Sequence, residues 1–157
     1  LLPSHGRYIS AAAKPFEEWA KKPGDRVGPG WRIPGSRGQR PVRHGLSDSN
    51  FWKTFVHLRL GVAMGDPGCL SLWGREPRRH RMLAERLAVE TRERVTGTAR
   101  TIDAWRLRPA RDNHLLDCAV GCAVAASMLG VRLPNMEVTT GKAKPKLRLS
   151  DLQRVRR

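Results

Sequence analysis

The chain has 157 residues, with 30 Lys plus Arg against 14 Asp plus Glu, a formal net charge of +16 and a pI near 11.4. That length suffices for one domain with its own core, and the excess of positive charge goes far beyond what solubility requires, so a polyanionic partner, most simply nucleic acid, is expected. Three Cys in a chain with no signal peptide argue against a secreted disulfide framework, and the absence of a GxxxxGKS/T phosphate loop places any ATPase motor elsewhere.

Residues 1–46 are rich in Gly, Pro and Arg. They predict two strands, over 7–13 and 42–46, and one short amphipathic piece over 15–22. Between Pro23 and Gly38 the chain carries Arg26, Arg32 and Arg37 on a Gly/Pro-rich backbone, read as a loop facing DNA or a partner. Ser47, Asp48 and Ser49 then supply helix-start chemistry. The helix that follows sets Phe51, Phe55, Leu58 and Val62 at helical spacing as its core stripe, with Lys53 and His57 one turn apart on the other side, either solvated or within reach of a phosphate backbone.

Gly61, Gly65, Pro67 and Gly68 end that helix, and Cys69 to Trp73 is apolar enough for a short buried strand. Pro77 opens a third helix to about Glu90, with Leu83, Leu87, Ala84 and Ala88 inward and Arg78, Arg79, Arg81 and Arg86 outward, facing duplex DNA or a protein. Two strands follow, 93–96 and 101–107, around a turn containing Gly97. Arg106, Arg108 and Arg111 crowd the approach to the last helix.

That helix is the best core-forming segment, DNHLLDCAVGCAVAASMLG, residues 112–130. From Leu115 onward only Asp117 and Ser127 interrupt its apolar or small residues. Cys118, Cys122 and Ala126, with Gly121 and Ala125 beside them, predict a flank tight against a sheet, with buried reduced thiols. The helix is too short and small-sided for a membrane span. Gly130 sits where a left-handed C-cap belongs, with Pro134 shortly after. At the entrance stand Asp112, Asn113, His114 and Asp117. Asp112 fits an N-cap or a metal ligand. Asp117, one turn inside an apolar helix, calls for either an arginine partner or a divalent metal. His114 lies three residues earlier on the same face. Residues 132–157 carry eight Lys or Arg against Glu137 and Asp151, with little apolar periodicity, and read as a disordered basic tail from residue 134.

Four separated stretches, WKTFVHLRLGVAMGDPGCLSLWG, HRMLAERLAVE, TARTIDAWRLRP and DNHLLDCAVGCAVAASMLGV, together with the opening PSHGRYISAAAKPFEEWAKKPGDRVG, closely resemble the C-terminal nuclease part of the large terminase subunit of lambda-like tailed phages. The resemblance spans roughly residues 3–133, and it departs conservatively at Leu115, where an aromatic is expected. It implies an α/β, ribonuclease H-like fold, a mixed sheet flanked by helices. It implies a Mg²⁺- or Mn²⁺-dependent endonuclease that cuts concatemeric viral DNA for packaging into capsids, in the cytoplasm of an infected host or encoded by a prophage. ATP would serve only a motor domain outside this chain.

On that resemblance Asp117, His114 and Asp112 are the catalytic and metal residues; by charge and position, Arg106, Arg108, Arg111, Lys53, Arg78 and Arg79 are the expected contacts to double-stranded DNA. The terminase small subunit and the portal or procapsid are the implied partners, with no membrane. Residues 1–46 offer only Glu17, Glu18 and Asp25 as further acids, none on a convincing buried strand, and the chain opens on Leu1 rather than Met. A fragment carrying one wall of the site is therefore expected. The alternative is a non-catalytic basic DNA-binding or packaging-interaction module; an RNA-associated structural protein is suggested by charge alone.

Overall fold

A computed structural model describes residues 2–35 and 42–131 of the chain; Arg37 and the expected tail over 134–157 lie outside them. The described residues form a mixed α/β arrangement. A four-stranded mixed sheet has the order β1-β4-β3-β2, built from β1 (Ser4–Arg7), β2 (Arg26–Gly28), β3 (Trp31–Ile33) and β4 (Gly45–Asp48). β1 runs parallel to β4, in the register Ser4↔Gly45 to Arg7↔Asp48, and the other pairs are antiparallel. Three α-helices follow, α1 (Ser49–Leu60), α2 (Arg81–Leu87) and α3 (His114–Met128), with a two-stranded ribbon of β5 (Glu90–Thr96) and β6 (Thr101–Leu107) between α2 and α3.

Alternation along β3 divides the interior in two. Trp31 and Ile33 point to the helices and join Trp52, Val56, Leu87, Leu116, Val120 and Val124 in the main core. Arg32 faces the other way beside its cross-strand partner Leu46, which packs with Ile9 and Phe16 in a smaller cluster. The basic, Gly/Pro-rich stretch read as a DNA-facing loop is thus largely the β2–β3 hairpin, turned at Gly28-Pro29-Gly30 with Gly30 at φ 60°. Its arginines are used internally: Arg32 is buried and ion-pairs with Asp25, and Arg26 donates to the Met128 carbonyl at 3.0 Å.

Asp25 also accepts from the Gly35 and Lys22 amides at 2.7 and 2.9 Å. These amide bonds, then the Arg32 guanidinium, hold its carboxyl down at about 2, against an ordinary 3.8. A depressed carboxylate contributes stability that is present above its ordinary value and lost as pH falls through its folded value. Asp48 carries the opposite sign, because burial raises its carboxyl and its protonation favours the folded state as pH falls. Urea-unfolding midpoints should therefore drop between about pH 4 and pH 2 in the native chain, and Asp25→Asn should flatten that drop while lowering the midpoint at pH 6.

The start of α1 is as expected: Asp48 caps it, its carboxylate accepting from the Asn50 and Phe51 amides at 3.0 and 3.3 Å. The core stripe is not Phe51, Phe55, Leu58 and Val62. Phe51 and Leu58 are exposed, Val62 lies past the helix end, and Trp52 and Val56 are the buried pair, with Phe55 half-buried beside them. The larger indole takes the position under Gly30, whose carbonyl it meets at 3.0 Å, and this rotates α1 by one residue from the expected face.

The expected 7–13 strand is found earlier, as β1, and 42–46 shifts to β4. The amphipathic 15–22 piece is a single 3-10 turn over Phe16–Glu18. Cys69 to Trp73 forms no strand and Trp73 is exposed; a short apolar run cannot be a strand without an edge to pair with. The third helix is shorter than expected, a 3-10 turn over Pro77–His80 and then α2, with Ala84 and Ala88 exposed rather than inward. Glu90 begins β5 instead of ending that helix.

α3 ends as its sequence indicates. Gly130 has φ 83°, its amide bonds to the Ser127 carbonyl, and the Val131 amide reaches the Ala126 carbonyl, both at 3.0 Å. Its buried face is opposite to expectation: Leu116, Val120 and Val124 enter the core, while Cys118, Gly121, Cys122 and Ala125 are exposed. The branched side chains bury more apolar area per position, so they take the interior against α1 and α2, and the small flank is left outside. The thiols of Cys118 and Cys122 are therefore not buried.

Candidate functional site

A polar cleft of about 310 Å³ lies where β1, the first turns of α1 and the first half of α3 meet, lined by Ser4, His5, Gly6, Ser47, Ser49, Lys53 and Asp117 above the apolar floor of Val120 and Val124. Lys53 is the hub beneath it. Its ammonium stands 2.5 Å from Glu90 Oε1 and 3.4 Å from Asp117 Oδ1. Glu90 is shut in, its side chain only 2% exposed, whereas that of Asp117 is 52% exposed at the cleft. Asn113, the residue before α3, sends its side-chain amide to Glu90 Oε1 at 2.7 Å instead of capping its own helix. Glu90 Oε2 is buried with no partner among the described residues.

The ribbon explains why Lys53 and His57 do not form an outer face. β5 and β6 lie over this side of α1: Trp105 donates its backbone amide to Asn50 Oδ1 at 3.1 Å and its indole N–H to Thr54 Oγ1 at 2.9 Å. Its ring stacks on His57 with centroids 4.2 Å apart. Burial there, helped by the positive charges of Lys53 and Arg92 and opposed by Glu90, pushes the His57 imidazole below its ordinary pKa. Lys53 is thus an internal ion-pair member at the cleft rather than part of a solvated outer face.

The three residues expected to gather a metal are not brought together. Asp112 lies one residue before the start of the α3 cap, where it ion-pairs with Arg86 of α2; it is neither a cap nor a neighbour of Asp117. His114 is exposed on the first turn of α3, and Asp117 is engaged by Lys53. Among the described residues no group of three or more His, Cys, Asp or Glu is placed to hold a metal ion. A hard divalent cation takes about six oxygen ligands. This cleft offers one exposed carboxylate, with the other acid, Glu90, already bound to an ammonium and an amide. The described residues therefore do not by themselves fit Mg²⁺ or Mn²⁺.

Comparison with known protein families, with curated proteins and with solved structures finds no match for this chain.

Of the arginines expected at DNA, Arg106 pairs with Glu93 at 2.6 Å and Arg79 with Glu76 at 3.2 Å, all four side chains largely in solvent. Arg78, Arg108 and Arg111 are exposed with no ion-pair partner among the described residues. None of the six except Lys53 lines the cleft. No helix among the described residues is long and apolar enough to cross a membrane.

Glu90 is the residue of this candidate site that sequence reasoning missed. A signal for it exists: Asn50, Lys53 and His57 recur at helical spacing as a polar stripe on an otherwise core-forming helix, and such a stripe needs a polar element over it. Glu90 at the start of an alternating strand, ETRERVT, is the carboxylate able to meet it.

Proposed function

We propose that this chain is part of the nuclease region of a tailed-phage large terminase subunit, acting on double-stranded DNA as it is cut and packaged into capsids. In this reading its mixed sheet and helices belong to a ribonuclease H-like fold. The small subunit and the portal or procapsid are the protein partners, and the work takes place in the cytoplasm of the infected cell. The reading rests on the ordered set of resembling stretches and on a net charge of +16.

The observation that carries it is Asp117. It is a half-exposed carboxylate on the first turn of α3, where the helix dipole favours negative charge, held at a polar cleft by a buried lysine. In this reading Asp117 contributes one carboxylate to a metal-dependent phosphodiesterase site, and further ligands must come from beyond the described residues. Lys53 fixes the Asp117 side chain and adds a positive charge beside the position of a bound phosphate.

The second reading, a DNA-binding module without catalysis, is favoured by the free cations Arg78, Arg108 and Arg111 and by the engagement of Asp112 and Asp117 by basic groups. Nicking of supercoiled plasmid with Mg²⁺ or Mn²⁺, by the longest polypeptide that contains residues 1–157, separates the two. The nuclease reading expects Asp117→Asn to lower cleavage at least about tenfold while gel-shift affinity persists. DNA binding that falls steeply with salt, ignores magnesium and never leads to cleavage would establish the module instead.

A further inference from the structure

Five tryptophans are present, and four are built into the fold in the same way. The indole N–H groups of Trp19, Trp31, Trp52 and Trp105 donate to Lys14 O, Ser127 Oγ, Gly30 O and Thr54 Oγ1, at 2.8–3.0 Å. Trp73 is the exception. It is 96% exposed and its indole has no hydrogen-bond partner among the described residues. An aromatic side chain of this size held wholly in water forgoes the burial that usually fixes it, and large exposed aromatics mark contact sites.

The segment that presents it is not a loose tether. Leu70 donates its amide to the Arg59 carbonyl at 2.9 Å and Cys69 to Asp66 at 3.1 Å, and Gly74, at φ 108°, turns the chain directly after the ring. Immediately beyond lie Arg75, Arg78 and Arg79, of which only Arg79 has an acidic partner, Glu76, among the described residues. Two and five residues after Trp73, Arg75 and Arg78 are therefore exposed guanidinium groups without an acidic partner among the described residues.

We propose that Trp73, with the exposed Arg75 and Arg78 following it in the chain, is a stacking site for an unpaired nucleotide. A π-face accepts any base, and neighbouring guanidinium groups hold the phosphates on either side; this pairing of aromatic and cation is how single strands are bound without sequence preference. Bases inside a duplex are already stacked, so the indole meets a free base only at an end, a gap or a melted step. The site thus selects single-stranded or opened DNA, in contrast to the duplex contacts of the other arginines. This rests on the DNA-binding part of the reading above and is independent of cleavage.

The test is a fluorescence titration of the whole chain, in low salt, with a twelve-nucleotide oligothymidylate and with a duplex of the same length. Because Trp73 is the fully exposed indole, its emission is the part that iodide quenches most readily. The single strand should quench that emission and shield it from iodide. Trp73→Ala should abolish the effect and weaken single-strand binding about tenfold, with duplex binding changed less than about twofold and Trp73→Phe recovering part of the loss. Unchanged single-strand affinity in Trp73→Ala, alongside salt-sensitive duplex binding, would overturn the stacking site while leaving the DNA reading intact, and would point to a protein partner for this face. Failure of the native chain to bind either oligonucleotide would overturn both.

Discussion

Glu90→Ala is expected to destabilise the fold by about 3–5 kcal/mol, the cost of leaving a buried ion without its partner. The substitution removes the acceptor 2.5 Å from the Lys53 ammonium and the one 2.7 Å from the Asn113 amide. What remains for Lys53 is Asp117, at 3.4 Å and half in water. Glu90→Gln keeps an oxygen for one of the two donors and should cost less, about 1–3 kcal/mol. Lys53→Met combined with Glu90→Leu should recover most of the loss, because the apolar pair leaves no charge to desolvate. Urea unfolding at constant m-value measures all three. A loss below about 1 kcal/mol for Glu90→Ala would mean that water reaches the lysine and that the pair beneath the cleft is not dry.

Trp52→Ala should cost about 3–5 kcal/mol as well, for a different reason. The ring is fully buried at the centre of the main core, edge-on to Phe51 and Phe55 with centroids 5.4 Å away in both cases. Alanine leaves a cavity bounded by α1, β3 and α3 and leaves the Gly30 carbonyl with only the Asp48 amide, at 2.8 Å, as donor. Trp52→Phe fills most of the volume and loses only the indole N–H bond, because the Asp48 amide still donates to that carbonyl, so a smaller cost of about 0.5–1.5 kcal/mol is expected. The comparison separates packing from hydrogen bonding. Equal losses in the two variants would place most of the energy in the indole N–H bond.

Both substitutions fall on features that the sequence disclosed only in part. The Asp48 cap, the β5–β6 ribbon and the Gly130 stop were legible because each is a local matter: a carboxylate before a helical run, alternation around a turn, a glycine after the last apolar turn. The buried face of α1 was not. In SNFWKTFVHLRL the aromatics Phe51, Trp52 and Phe55 offer two overlapping stripes, and the choice between them is made by Gly30, in the β2–β3 turn 22 residues upstream of Trp52. The same holds for α3, where small residues suggested close approach, although the branched residues on the opposite side had more area to bury.

Asp117 was legible as an acid in need of a cation, and the ion-pair alternative to a metal was open from the start. That its cation is Lys53, shared with Glu90, could not be read from residues 64 and 27 positions apart in the chain. Asp112 misled for a local reason: α3 begins two residues later, at His114, so the carboxylate stands outside the cap position and turns to Arg86 instead.

The parallel pairing of β1 with β4 has a consequence for the order in which the fold assembles. β2 with β3, and β5 with β6, join residues close in sequence, whereas Ser4 meets Gly45 only after some forty intervening residues have been drawn together. Loop closure over that span is slow to be repaid, and all four β1 residues are exposed, so β1 gains little from the core when it arrives. Of the four strands in this sheet it has the least burial behind it. Because Ser4, His5 and Gly6 form one side of the cleft, the docking of β1 completes the cleft beside Lys53 and Asp117. One wall of the cleft thus rests on a pairing between distant parts of the chain, while Asp117 itself already stands half in water.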